Sequence, residues 1–133
     1  MDLLLLDVVD AGVSDSPVNK TLLLVIGATI LAEAGVMILA RYLDWKQSLL
    51  QSLLVNVATL ILGYLLIQVA PGLFGKYSLV NLSVLMLITI AAELGLLYLL
   101  NKAKPFLFTV LVCVLMNVVS YLLFYLIIRL MER

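Results

Sequence analysis

The sequence contains no histidine and only one cysteine, and these absences exclude several kinds of site. Without histidine, the chain alone provides no His-ligated zinc, no His-ligated haem and no histidine general base. Cys113 has no second cysteine with which to form a disulfide within the chain. It stands in an apolar stretch, so we interpret it as a small hydrophobic residue. The sequence predicts no cofactor and no metal site.

Charge is also scarce, at 12% of the 133 residues, with eight basic and eight acidic side chains in balance. Since there is no net charge and no basic run, nothing favours nucleic acid as a partner. Hydrophobic residues make up 65% of the chain, and the mean hydropathy is +1.26. A soluble domain is about half apolar and about a quarter charged. The composition therefore predicts an integral membrane protein whose first partner is the lipid bilayer.

Four long apolar segments follow one another along the chain, at residues 21–40, 48–70, 78–100 and 106–128. Each reaches about the 20 residues that a helix needs to cross a hydrocarbon core of about 30 Å. Backbone groups in lipid must be satisfied within a segment, so long runs without alternation favour helices over barrel strands. The sequence predicts an all-α integral membrane protein with four transmembrane helices.

The links between these segments are short, which predicts that consecutive helices are antiparallel neighbours. Tyr42 and Trp45 in the first link are predicted to lie in an interfacial aromatic belt. Pro71 and Gly72 in the second link should end one helix and allow the chain to turn. Pro105 in the third link stands at the favoured first position of a new helix.

Residues 1–20 differ from the rest because aspartates interrupt their apolar residues. The segment is too short and acidic to span, and it lacks the basic start and continuous apolar core of a secretory signal. We predict an interfacial helix at residues 3–11 with a break at 14–17, although a frayed terminus fits the pattern equally well. The predicted organisation is an acidic interfacial segment at 1–20 and a four-helix transmembrane bundle at 21–133.

The rarest residues within the apolar segments recur at equivalent positions in the two halves of the chain. The matched pairs are Thr29 with Thr89, Glu33 with Glu93, Asn56 with Asn117, and Thr59 with Ser120. This recurrence predicts two tandem helical hairpins, at residues 21–70 and 76–129. Because each hairpin has two helices, both enter the membrane from the same side, and the predicted pseudo-twofold axis runs along the membrane normal.

The repeated polar residues are predicted to lie away from water. From the helix rise, Glu33 and Glu93 lie roughly 12 and 13 Å from the end of the bundle that carries both hairpin links. Asn56 and Asn117 lie roughly 15 and 20 Å from this end, hereafter the link end. The candidate intramembrane polar or ion site comprises Glu33, Glu93, Asn56, Asn117, Thr29, Thr89, Thr59 and Ser120. Placing a carboxyl group in hydrocarbon costs free energy, so two carboxyl groups at equivalent depth predict a functional role for them.

Two functions fit this polar belt. A protonated glutamate that donates to an asparagine on the neighbouring helix would fasten two helices, at about 0.6–2 kcal/mol each. The protein would then be a structural or accessory subunit of a homo-oligomer or a larger membrane complex. Carboxyl, amide and hydroxyl oxygens also suit protons and hard cations. The alternative is a proton- or cation-coupled transporter or channel component using Glu33 and Glu93. An enzyme is the least supported class, since no nucleophile lies beside a base.

Two further features concern the surroundings of the bundle. Ala28, Ala32 and Gly35, repeated in part by Ala92 and Gly95, form a small-residue stripe that predicts close helix approach. Basic residues number four at each end, but the acidic residues concentrate near the chain termini. We predict a multi-pass protein of a prokaryotic inner or plasma membrane, with the hairpin links inside and both termini outside.

The chain resembles small multidrug transporters in having four short-linked helices with Glu33 in the first. That family carries one essential glutamate and works as a dimer, whereas this chain repeats the residue as Glu93. One hairpin is also similar to small cyanobacterial septal filament-integrity proteins, around Glu33-Ala-Gly-Val and Asn56-Val-Ala-Thr59. Neither resemblance carries a residue role over to this chain.

Overall fold

The computed structural model describes residues 17–74 and 79–131, and these residues are helical throughout apart from their links. The helices are α1 Pro17–Leu39, α2 Trp45–Val69, α3 Pro71–Phe74, α4 Leu79–Leu100 and α5 Phe106–Met131. No strand occurs within the described ranges. The predicted all-α class is confirmed.

Three helical stretches are long and apolar enough to cross a membrane: Trp45–Val69, Ser83–Leu100 and Phe106–Ile127. The apolar stretch of α1, Leu23–Leu39, is shorter. The described part of the chain therefore has at least three candidate spans, as expected for a helical membrane protein. The predicted interfacial helix at residues 3–11 lies outside the described residues.

The helix starts follow local capping chemistry. α1 begins at Pro17, earlier than the predicted residue 21, because a proline fits the first position of a helix. Asp44 caps α2, where its carboxylate accepts the backbone N–H of Gln47 at 3.1 Å. Pro71 also opens a helix, the short α3, so the segment after Ala70 is helical where the sequence predicted only a turn.

The first hairpin link begins with a Schellman motif. The N–H of Tyr42 donates to Met37 O at 2.8 Å, and the N–H of Arg41 donates to Ile38 O at 3.0 Å. Arg41 adopts the left-handed conformation (φ 53°) that this motif requires. The motif turns Tyr42 into the core, where it is fully buried. The predicted position of Tyr42 in an aromatic belt is therefore wrong, whereas Trp45 is exposed.

The four long helices form a closed ring of neighbours. α1 packs against α2 and α5, and α4 packs against the same two helices. α1 and α4, which carry the two glutamates, therefore lie diagonally across the bundle. One face of α1 and one face of α4 are therefore directed towards a common interior.

The core lies in the half of the bundle nearest the link end. Its buried apolar residues are Met37, Tyr42, Val55, Leu97, Val112, Cys113 and Met116. Among the described side chains of α1 and α4, the buried ones lie at Glu33 and Glu93 or nearer to the link end. The glutamates thus lie at the boundary between the packed half of the bundle and the half that carries the chain termini.

The small-residue stripe does not bring helices together within one chain. A Cβ atom added at Gly35 or Gly95 would meet no neighbouring atom within 4 Å, and Gly95 is exposed. The close approach predicted at these two glycines is therefore absent from the chain's own packing.

Candidate functional site: a polar core shared by two hairpins

Glu33 projects from α1 into the interior, where only 2% of its surface is exposed. Its Oε2 accepts a short hydrogen bond from Asn56 Nδ2 on α2. Ser52 Oγ, one turn before Asn56, lies 3.1 Å from the same oxygen. Two side chains of α2 therefore hold the Glu33 carboxyl group.

Backbone carbonyls orient both of these partners. Asn56 Nδ2 also donates to Ser52 O at 2.9 Å, so the amide is anchored to its own helix. Ser52 Oγ lies 2.9 Å from Ile30 O, which connects α2 directly to the backbone of α1. The amide is thus already oriented when it meets the carboxyl group.

Glu93 occupies the corresponding position in the second hairpin and is 3% exposed. Its Oε2 accepts from Asn117 Nδ2 on α5 at 2.6 Å. Asn117 Nδ2 is anchored to Cys113 O at 2.9 Å. Cys113 Sγ in turn approaches Ile90 O on α4 at 3.8 Å.

The two hairpins therefore share three contacts, but Ser52 also meets the carboxyl group of Glu33. Each asparagine is anchored to the carbonyl one turn earlier, at Ser52 or Cys113, and that residue contacts an isoleucine carbonyl on the partner helix. Ser52 and Cys113 were not predicted as site residues. The signal was available, since each stands four residues before its asparagine, but the Cys/Ser difference concealed it.

The two carboxyl groups belong to one site. Glu33 and Glu93 lie within electrostatic reach of each other, although their helices are diagonal. The hydroxyl group of Ser120, from α5, also faces Glu33. Cys113 and Tyr121 of α5 lie within electrostatic reach of both glutamates. The packed interior thus holds two carboxyl groups, two amides and a set of small polar groups.

The remaining predicted hydroxyl groups serve their own helices. Thr59 Oγ1 donates to Val55 O or Asn56 O, both at 3.1 Å, and Thr89 Oγ1 donates to Leu85 O at 2.9 Å. Thr29 is half-buried one turn from Glu33. No contact of Thr29, Thr59 or Thr89 with a glutamate carboxyl is observed among the described residues. Of the four hydroxyl residues predicted, only Ser120 faces a carboxyl group.

Two further polar contacts join one hairpin to the other near the link end. The amides of Gln51 and Asn101 form a reciprocal pair, with N···O distances of 3.1 and 2.6 Å. The hydroxyl groups of Tyr42 and Thr109 lie 2.9 Å apart in the core. Neither pair was predicted, because the partners share no repeated spacing.

The side chains of this site offer a narrow range of groups that could bind a proton or a cation. Within the described residues, no group of three or more His, Cys, Asp or Glu side chains could hold a metal ion. Two carboxyl groups with amide and hydroxyl neighbours can hold a proton, share one negative charge, or offer oxygen ligands to a monovalent cation. No protein-family model matches this sequence, and comparison with curated proteins and with solved structures gives no significant match.

Proposed function

We propose that the protein is a small multi-pass membrane subunit in which hydrogen-bonded polar side chains fasten the helices, and that it works in a homo-oligomer or a larger membrane complex. One observation carries the proposal: a side-chain hydrogen bond joins each neighbouring pair of long helices. The four pairs are Glu33–Asn56 (α1–α2), Glu93–Asn117 (α4–α5), Gln51–Asn101 (α2 and the residue after α4), and Tyr42–Thr109 (the link after α1, and α5).

Lipid explains why polar contacts would be used. Acyl chains are as apolar as leucine side chains, so burial of leucine between helices gives little drive to associate in a bilayer. Packing and interhelical hydrogen bonds must supply the specificity instead. A distinct polar pair at each interface would fix the order and depth of all four long helices.

The proposal includes the finer topology. All four long helices span the membrane as two tandem hairpins related by an axis along the membrane normal. The matched contacts around Glu33 and Glu93 support this duplication. Basic residues number four at each end, but the acidic residues concentrate near the chain termini, so we place the link end in the cytoplasm and both chain termini outside.

Assembly with other subunits is supported by the amount of exposed apolar surface. Leu39, Leu107 and Val69 are each about four-fifths exposed, at 85%, 79% and 82%. Four helices enclose little volume, and the links are too short to form a separate domain. Lipid and neighbouring subunits are the surroundings that suit such a surface.

A second candidate function rests on the proximity of the two carboxyl groups. Helix fastening needs one hydrogen-bonding group per interface, and a neutral amide would suffice. Two acids in one dry interior make ionisation of one depend on the other, because like charges cannot both be stabilised there. This coupling supports a role in proton or monovalent-cation transfer across the membrane.

The double variant E33Q/E93Q separates the two functions, since glutamine keeps hydrogen-bonding capacity but cannot ionise. The fastening function predicts unchanged assembly in mild detergent, measured as the complex that co-purifies with the protein. The transport function predicts ion or proton flux in liposomes that the double variant abolishes while the fold survives. E132Q, at the third glutamate of the chain, is the control. Absence of flux from the wild-type protein in liposomes would rule out transport by this chain alone.

A further inference from the structure

We infer that the two glutamates have different roles: Glu33 is kept as a neutral acid, whereas Glu93 is the carboxyl that loses its proton. The inference does not rest on either proposed function, because it follows from the hydrogen-bond geometry and the charges around the two carboxyl groups.

The single hydroxyl hydrogen of Ser52 indicates the protonation state of Glu33. A serine hydroxyl has one hydrogen to donate, but Ser52 Oγ faces two acceptors, Ile30 O at 2.9 Å and Glu33 Oε2 at 3.1 Å. If Ser52 donates to the nearer Ile30 carbonyl, its oxygen faces Glu33 as an acceptor. A hydrogen bond between Ser52 and Glu33 then requires that the carboxyl group carries the proton.

Ser120 has the same arrangement. Its hydroxyl group lies 2.8 Å from Met116 O and 3.1 Å from Asn117 O, so its hydrogen has a backbone acceptor on its own helix. The oxygen of Ser120 is therefore also available as an acceptor for Glu33, which it faces. A neutral Glu33 has one O–H to donate and can satisfy one of these two hydroxyl oxygens, whereas a carboxylate could satisfy neither.

Glu93 has no such acceptor. Its hydrogen-bond partner among the described residues is Asn117 Nδ2, which is a donor. The position equivalent to Ser52 is Cys113, whose sulfur is a weak acceptor and lies against Ile90 O at 3.8 Å. A proton on Glu93 thus has no hydroxyl oxygen to bind, whereas the charged carboxylate gains from the Asn117 amide.

The neighbouring groups allow one negative charge. The titratable groups that face Glu33 are Glu93 on α4 and Cys113 and Tyr121 on α5; α2 presents Ser52 and Asn56, which do not titrate. Charge on Glu93 disfavours charge on Glu33.

Infrared spectroscopy can locate the proton. Glutamate occurs only at positions 33, 93 and 132, so labelling with δ-¹³C glutamate separates their carboxyl absorption from aspartate and from detergent. At neutral pH, solvent-exposed carboxyl groups are ionised and give no protonated-acid band. We expect the labelled wild-type protein to show one such band, which E33Q removes and E93Q retains.

Three results would overturn the inference: loss of the band in E93Q alone, loss of half the band in each variant, or no band in the wild-type protein. S52A provides a second measurement, since it removes the acceptor and should move the band to higher wavenumber. C113A is the matched control, since it adds no hydroxyl group beside Glu93, and it should leave the band in place; a shift equal to that of S52A would also contradict the inference. None of these results depends on assembly or flux, so the inference can fail while the proposed functions stand.

Discussion

Replacing Asn117 by alanine should destabilise the bundle more than the same change at Asn56. The two side chains occupy equivalent positions, and each donates to a glutamate and to the carbonyl one turn earlier. They differ in what remains after their removal. Glu33 would keep its contact with Ser52, whereas no second partner of Glu93 is observed among the described residues.

The expected magnitudes follow from this difference. A buried polar group left without its partner costs about 1–3 kcal/mol. This cost applies to Glu93, because only 3% of its surface is exposed. An interhelical hydrogen bond in a membrane protein is worth about 0.6 kcal/mol on average and up to about 1.7 kcal/mol. We expect a loss of about 2 kcal/mol for N117A and about 1 kcal/mol for N56A.

Reversible unfolding in mixed micelles, followed by far-ultraviolet circular dichroism, would measure both losses. A double-mutant cycle of N117A with E93A isolates the pairwise term, which should be near 1 kcal/mol. The cycle of N117A with E33A is the control and should be smaller, because Asn117 does not contact Glu33. A larger loss for N56A than for N117A, or a coupling near zero between positions 93 and 117, would refute the reasoning.

Three further substitutions test the packing near the link end and on α4. R41G should stabilise the bundle by up to about 1 kcal/mol, because glycine adopts the left-handed conformation without strain; the same unfolding assay should show little change for R41A. Y42F should cost about 1 kcal/mol through the lost contact with Thr109, and adding T109V should cost little more, since the remaining partner of the Thr109 hydroxyl group is the Pro105 carbonyl of its own turn at 3.3 Å. G95A should be neutral or stabilising by up to about 1 kcal/mol in the monomer, since the added Cβ meets nothing; a loss of stability there would show that the glycine is needed for packing within the chain.

The helical class could be predicted because it depends on local chemistry. The apolar segments are long and the links contain Pro71 and Pro105, so helix existence and approximate limits followed from the sequence. The burial of Tyr42 could not be predicted in the same way. It depends on Arg41 entering the left-handed region, and arginine gives no sequence signal for that conformation.

The site could be predicted in part for a related reason. Glutamate and asparagine are rare in hydrocarbon, so Glu33, Glu93, Asn56 and Asn117 stood out, and the structure places each acid against the asparagine of its own hairpin. Serine and threonine are common in membrane helices because they can bond to their own backbone, so sequence alone did not separate Ser52, which meets a carboxyl group, from Thr59, which does not. Contacts between hairpins, such as Gln51 with Asn101, depend on how the two units dock, and no spacing encodes that.

The position of the acids within the bundle is compatible with both proposed functions, helix fastening and ion handling. Between the glutamates and the link end the helices are packed around a core, and the Gln51–Asn101 and Tyr42–Thr109 pairs join the hairpins there. Beyond the glutamates, towards the chain termini, Ser120 is the last buried residue among the described side chains. A carboxyl group at this boundary is held by the packed half, yet it lies next to the half with fewer internal contacts. Small movements of the helix ends near the termini could therefore change access to Glu93 while the fasteners at the link end stay intact, which is the combination that a proton- or cation-binding subunit needs.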